Sequence, residues 1–184
     1  MHHSEILNKI IEFTDQAHGT QTRKYTPDKY IVHPVRVMET CSQYTDLLPL
    51  LSAAIMHDVL EDTATSKNDI LNFLKDLMNE NDRNYIIQLV VELTDVYVKK
   101  DFPTLNRYTR KKMELERLRK ISADAQTIKY ADIIDNSREI PQHDPSFAGR
   151  YLKECCEILL ALDKGHPQLR EKAIETVSEE LKKM

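Results

Sequence analysis

Ala53-Ala54-Ile55-Met56-His57-Asp58-Val59-Leu60-Glu61-Asp62-Thr63 is the stretch on which the reading of this chain turns. It opens as an apolar run and closes in a knot of ionisable groups. At about 3.6 residues per turn, residues four apart share a helix face, so His57 is expected over Glu61 and Asp58 over Asp62. Three carboxylates and an imidazole then crowd little more than one turn. Their repulsion is costly unless a cation sits among them or water solvates them fully. The preceding Leu50, Leu51, Ala53, Ala54, Ile55 and Met56 read as a buried helix, which argues against full solvation. A metal site in a cleft wall is the reading this stretch favours.

Outward from it, the chain has 184 residues, 30% of them charged and only three of them glycine, a composition that suits helices better than sheets. The expectation is an all-α fold, a single domain over residues 1–184. Apolar residues at helical spacing give about nine helices. The first carries Ile6, Ile10, Phe13 and Ala17, with Ser4 as its cap and Gly19 at its end. A polar loop, Thr20 to Lys29, leads to a second helix opened by His33-Pro34 and running to about Tyr44. The third, from about Asp46, holds the central stretch. Ser66 with Asp69 resembles a capping box for the fourth, and a fifth spans about Asp82 to Thr94. After a break around Pro103 come a charged helix, Arg107 to Lys120, and another capped by Ser122. Pro141 to Pro145 is read as a second break, followed by helices over about 146–164, closed by Gly165, and 168–183.

The formal net charge of −4 gives no general attraction to DNA, RNA or an anionic membrane, so any affinity for phosphate must come from a local basic patch. Cys41, Cys155 and Cys156 are odd in number, and the last two are adjacent, which favours reduced thiols in a reducing cytoplasm. No signal peptide is read at the start, and no apolar run approaches the roughly 20 residues needed to span a bilayer.

Metal-capable groups stand beside apolar helix segments at four places: His33, His57-Asp58, Glu61-Asp62 and the run Lys129 to Asn136. In the last, Asp132 and Asn136 share a face with Ile128. Two imidazoles and two carboxylates make a mixed nitrogen–oxygen site suited to Mn²⁺, Fe²⁺, Zn²⁺ or a similar ion, without the thiolates of structural zinc. The surplus carboxylates are candidates for activating water.

The order His33, His57-Asp58, Asp132 resembles the H…HD…D signature of the HD-domain phosphohydrolase superfamily. Arg23-Lys24, Tyr30-Ile31-Val32-His33-Pro34, the central stretch, Leu93-Thr94-Asp95 and Lys129-Tyr130-Ala131-Asp132 through Asn136-Ser137-Arg138 resemble more closely the hydrolase domain of RelA/SpoT-type enzymes. The chain is about as long as one such domain, which implies a stand-alone small alarmone hydrolase with an HD-type helical bundle. The resemblance implies removal of pyrophosphate from the 3′ position of guanosine tetra- or pentaphosphate, with Mn²⁺ as cofactor and other divalent ions as alternatives. It makes His33, His57, Asp58 and Asp132 the metal ligands, and Glu61 and Asp62 the groups that position and activate water. Arg23 and Lys24 match the pair that packs on the purine and meets phosphate. Asn136 and Arg138 match positions beside the ribose and phosphates, and Arg107 matches loosely a basic position facing the pyrophosphate. Tyr130, Ile133, Ile134 and Asp135 depart from the family's usual Leu and basic or His residues.

Two other functions stay open at this point: a phosphomonoesterase of the wider superfamily, and a nucleotide sensor without catalysis. Intact Glu61 and Asp62 weigh against the sensor, which needs no water activator. The Arg110-Lys111-Lys112 run reads as a solvated face rather than a phosphate clamp. His18, His143 and His166 have no partner at metal spacing and read as surface histidines. The base, the native metal and the oligomeric state are left open by the sequence.

Overall fold

The computed structural model describes residues 2–184, and its backbone contacts divide them into two units, a first through Thr94 and a second over Asp95–Met184. The first holds α1 (His3–His18), α2 (Val32–Ser42), α3 (Leu48–Met56), α4 (Val59–Asp62), α5 (Lys67–Leu74) and α6 (Glu80–Leu93); the second holds α7 (Arg107–Leu118), α8 (Ala123–His143), α9 (Pro145–Ala161) and α10 (Pro167–Lys182). The architecture is all-α as expected. Among the described residues the sole β pairing is an isolated antiparallel bridge, Thr22 to Lys29, inside the loop after α1.

α3 is the centre of the first unit. Every residue from Pro49 to Met56 is buried, and the helix is packed by α1, α2 and α6. A segment without a polar face can only sit where neighbours cover it on all sides. Ten helices stand among the described residues against about nine expected, because the third is interrupted at His57-Asp58. The reason is local. The His57 imidazole donates through Nδ1 to the Ala54 carbonyl at 2.8 Å, the acceptor that the Asp58 N–H would use in an unbroken helix. Asp58 then relaxes to φ −97°, ψ −6°, and its carbonyl accepts from the Glu61 and Asp62 N–H groups at 3.1 and 2.9 Å to start the single turn of α4.

Most punctuation read from the sequence is found. Ser66 and Asp69 form the reciprocal capping box of α5, Ser122 caps α8, and Gly19 ends α1 at φ 59°. Three expectations are corrected. α1 begins at His3, with the Glu5 carboxylate accepting from the His2 N–H at 3.1 Å, so Ser4 lies inside it rather than capping it. Pro141 does not break α8, which continues to His143; so near the end, the missing N–H costs one bond of the last turns. Gly165 does not close α9, which ends at Ala161.

Gly165 has a different task in the second unit. Tyr130, fully buried on α8, donates its hydroxyl to the Leu162 carbonyl at 2.9 Å, and Thr127 Oγ1 accepts from the His166 N–H at 2.8 Å. The α9–α10 connection is thereby drawn onto α8. A Cβ at Gly165 would stand 2.5 Å from Tyr130 Cε2 and 2.8 Å from the Thr127 nitrogen. Gly165→Ala is therefore expected to destabilise by about 1–3 kcal/mol through overpacking, and to lower the melting temperature by several degrees in a thermal scan. An unchanged melting temperature would show that the connection shifts freely.

All three cysteines are free thiols. Burial pushes the Cys41 and Cys155 thiols up to about 12, which keeps them protonated and unreactive near neutral pH. Among the described residues no helix is long and apolar enough to cross a membrane.

Candidate metal centre and its surroundings

Three of the expected ligands converge in the first unit. His33 near the start of α2, His57 at the end of α3 and Asp58 at the start of α4 each offer one ligand atom, all within 4.8 Å of one another. The two imidazoles are almost sealed, at 1% and 3% exposure, whereas the Asp58 side chain keeps 22%. Asp58 Oδ2 is the hub: it lies 3.1 Å from His57 Nε2 and 3.7 Å from His33 Nε2, and accepts from the Tyr30 hydroxyl at 2.5 Å.

The donor chemistry fits a cation. A carbonyl can only accept, so the bond to Ala54 puts the proton of neutral His57 on Nδ1 and leaves the Nε2 lone pair facing Asp58 Oδ2. Two acceptors at 3.1 Å repel unless a metal ion or a proton stands with them. A backbone carbonyl behind the imidazole is also the usual device for aiming a metal-binding histidine. His33, His57 and Asp58 could thus hold a divalent ion.

Glu61 and Asp62 lie on α4, one turn beyond the doublet, and both are exposed on one side. The Asp62 carboxyl is raised above its ordinary value, first by partial burial and then by the neighbouring Asp58 charge; hydrogen bonds from Tyr30 and Gln21 and the nearby His18 act in the opposite direction. The Tyr30 phenol is pushed far up by burial and by the Asp58 carboxylate, so it stays protonated and can donate to Asp58. Arg23 is buried, with its guanidinium 5.6 Å from the Tyr30 ring centroid. Lys24 is exposed and donates to the Tyr25 hydroxyl at 2.7 Å.

The remaining expected residues belong to the second unit. Asp132 is buried on α8 and held at both oxygens, by Lys129 Nζ at 2.7 Å and Asn136 Nδ2 at 2.6 Å. The shared face read from the sequence for Asp132 and Asn136 is thus a direct hydrogen bond. Arg138 is exposed. Arg107 makes a two-pronged ion pair with Glu154, at 2.9 and 2.6 Å, and its guanidinium lies 5.1 Å from the Phe147 ring centroid. A cavity of about 100 Å³ within this unit has Arg107, Lys111, Lys129, Asp132 and Tyr151 in its wall.

Three residues near the centre escaped the sequence reading. His18 is not a surface histidine: it is 7% exposed and stacked on Tyr30 at 4.4 Å between centroids. Tyr30 stood in the Tyr30-Ile31-Val32-His33-Pro34 motif without a role of its own, and Gln21 stood in no motif. The positive-φ Gly19 directly after His18 was the available clue, because it turns the chain back onto the histidine.

The HD domain family model matches residues 30–137, more than half of the chain. The chain is 33% identical over 146 residues to guanosine-3′,5′-bis(diphosphate) 3′-pyrophosphohydrolase MESH1 of Xenopus tropicalis, covering 76% of this chain and 72% of that one. It is 28% identical to the human MESH1 over 177 residues, 90% of this chain and 89% of the relative. A solved structure described as "A metazoan ortholog of SpoT hydrolyzes ppGpp and plays a role in starvation responses" superposes with a TM-score of 0.78 at 24% identity, over 95% of this chain and 94% of that one, which shows a common fold. The chain belongs to the HD domain family, in the branch of the MESH1 proteins.

Proposed function

We propose that this protein is a metal-dependent hydrolase of guanosine 3′,5′-bis(diphosphate)-type alarmones, converting (p)ppGpp to GDP or GTP plus pyrophosphate. The observation that carries the reading is the facing pair of acceptors, His57 Nε2 and Asp58 Oδ2, beside His33. It stands on a chain whose relatives are named for that reaction. Mn²⁺ is the proposed ion, with other divalent ions as substitutes, and the reducing cytoplasm is the proposed compartment. His33, His57 and Asp58 would hold the ion; Asp132 is proposed as the fourth ligand on the sequence pattern alone. Bound there, a divalent ion would supply Lewis-acid polarisation of a phosphoryl oxygen and acidify water.

The chain's own groups account for the rest. Glu61 and Asp62 take the proton of the attacking water, whose oxygen joins the phosphorus nearest the ribose. The bond from that phosphorus to the 3′ oxygen breaks, the proton taken from the water is returned through solvent to the 3′ oxygen, and pyrophosphate leaves. Tyr30 steadies Asp58 through its 2.5 Å hydrogen bond. Arg23, Lys24, Arg107, Asn136 and Arg138 are proposed to bind the purine, ribose and phosphates. For Arg107 this means exchanging part of its ion pair with Glu154 for substrate. A purine nucleotide carrying a 3′-pyrophosphate is the proposed partner.

The test is a nucleotide panel with product identification. A 3′-pyrophosphorylated guanosine nucleotide is expected to give pyrophosphate and a 3′-hydroxyl nucleotide in equal amounts. Orthophosphate as the sole primary product would make the protein a phosphomonoesterase. Binding without turnover would make it a sensor.

A further inference from the structure

α1 ends at His18, and Gly19, at φ 59°, reverses the chain so that Gln21 returns to the histidine. The Gln21 N–H donates to the His18 carbonyl at 3.1 Å, and the Gln21 carbonyl accepts from the Tyr30 N–H at 3.0 Å. The Thr22 to Lys29 bridge closes the loop between them. A turn of polar residues is thereby fixed firmly enough to aim three side chains.

Those side chains meet the acidic end of the metal centre. His18 Nδ1 and Gln21 Oε1 are 2.9 Å apart, and an amide oxygen only accepts, so the imidazole donates. The amide nitrogen of Gln21 is then left to donate to Asp62, with which Gln21 is hydrogen-bonded. The His18 ring stacks on the Tyr30 ring at 4.4 Å and 27°, with Arg23 also against that ring. The phenol, fixed by these neighbours, directs its hydroxyl to Asp58 and has Asp62 within hydrogen-bonding reach. Asp62 needs such support, because it ends a four-residue helix and keeps one side in solvent. An apolar side chain would fill the His18 position as well by volume. Only a ring N–H orients the Gln21 amide.

We propose that His18 and Gln21 are positioning residues that orient the Asp62 carboxylate for water activation, His18 acting through Gln21. This rests on the hydrolase reading above, since it assigns a purpose to Asp62. The chain of action runs from the His18 Nδ1–H to the Gln21 amide to Asp62, while the one hydroxyl hydrogen of Tyr30 goes to the neighbouring Asp58.

Gln21→Met removes the donor to Asp62 and His18→Leu the donor to Gln21, each with little change of volume. Each is expected to lower kcat by on the order of 10–100-fold, the usual cost of losing a supporting hydrogen bond, with KM, metal content and melting temperature close to the parent's. In an Asp62→Asn background, Gln21→Met should add less than about a further twofold loss, since residues acting as a unit are not additive. Gln21→Glu, which keeps the acceptor for His18 but directs a charge at Asp62, should not restore turnover. A second readout needs no catalysis: in metal-free protein, the side-chain amide signal of Gln21 in nuclear magnetic resonance should move on Asp62→Asn and on His18→Leu. Parent-like kcat in both single variants would overturn the proposal. So would an undiminished loss in the Asp62→Asn background, or a Gln21 signal indifferent to both partners. If the parent itself hydrolyses no nucleotide, the hydrolase reading falls, and the Gln21 signal still decides whether His18 and Gln21 orient Asp62.

Discussion

Glu61→Gln is expected to retain the bound ion and lower turnover by on the order of 10²–10⁴, the usual contribution of a general base. The amide keeps the volume of the carboxylate but cannot accept a proton from water. Glu61 lies on the exposed side of the single turn α4, three residues beyond Asp58, so the change should leave the His33, His57 and Asp58 cluster intact. Asp132→Asn is expected to lower metal occupancy and activity together. Metal content, melting temperature and turnover on the same purified variants separate the two roles. If Glu61→Gln loses the ion as fully as Asp132→Asn, Glu61 is a ligand and the division of labour fails. Asp62→Asn adds a sign that can be checked by stability. Its carboxyl is raised in the folded protein, first by partial burial and then by Asp58, so the ionised form is a cost to folding above the ordinary carboxylate range. In metal-free protein the variant should melt higher than the parent near neutral pH, and the gain should vanish as pH falls below about 4, where the carboxyl is protonated in both states.

Removal of the ion is expected to abolish turnover altogether, and added Mn²⁺ to restore it. The cause is the charge balance at the doublet: with Nδ1 committed to Ala54, neutral His57 presents a lone pair to Asp58 at 3.1 Å. Acid should release the ion as well, because protons compete for the same imidazole and carboxylate lone pairs. Chelation near neutral pH followed by elemental analysis and a turnover assay checks the expectation. Full activity in a sample shown to be metal-free would remove the metal from the mechanism. His57→Ala should reproduce the chelated state and also melt lower, because it deletes the buried bond that ends α3.

Local chemistry determined much of this protein from sequence alone. Helical periodicity, the Ser66–Asp69 box and the Ser122 cap are short-range signals, and they placed the helices because burial and capping act within a few residues. The same locality joined Asp132 to Asn136 across one turn. The order of His33, His57-Asp58 and Asp132 carried the family. Tertiary structure decided what depends on a partner distant in sequence. His33 meets His57 only because α2 packs on α3. The interruption after Met56 follows from an imidazole taking a carbonyl, a competition that an apolar pattern does not encode. His18 became buried because a loop folded back and set Tyr30 against it. Arg107 found Glu154, 47 residues away, an ion pair that no local spacing announces. Side-chain hydrogen bonds and ring stacking are set by three-dimensional proximity, and a linear pattern of polar and apolar residues carries no record of it.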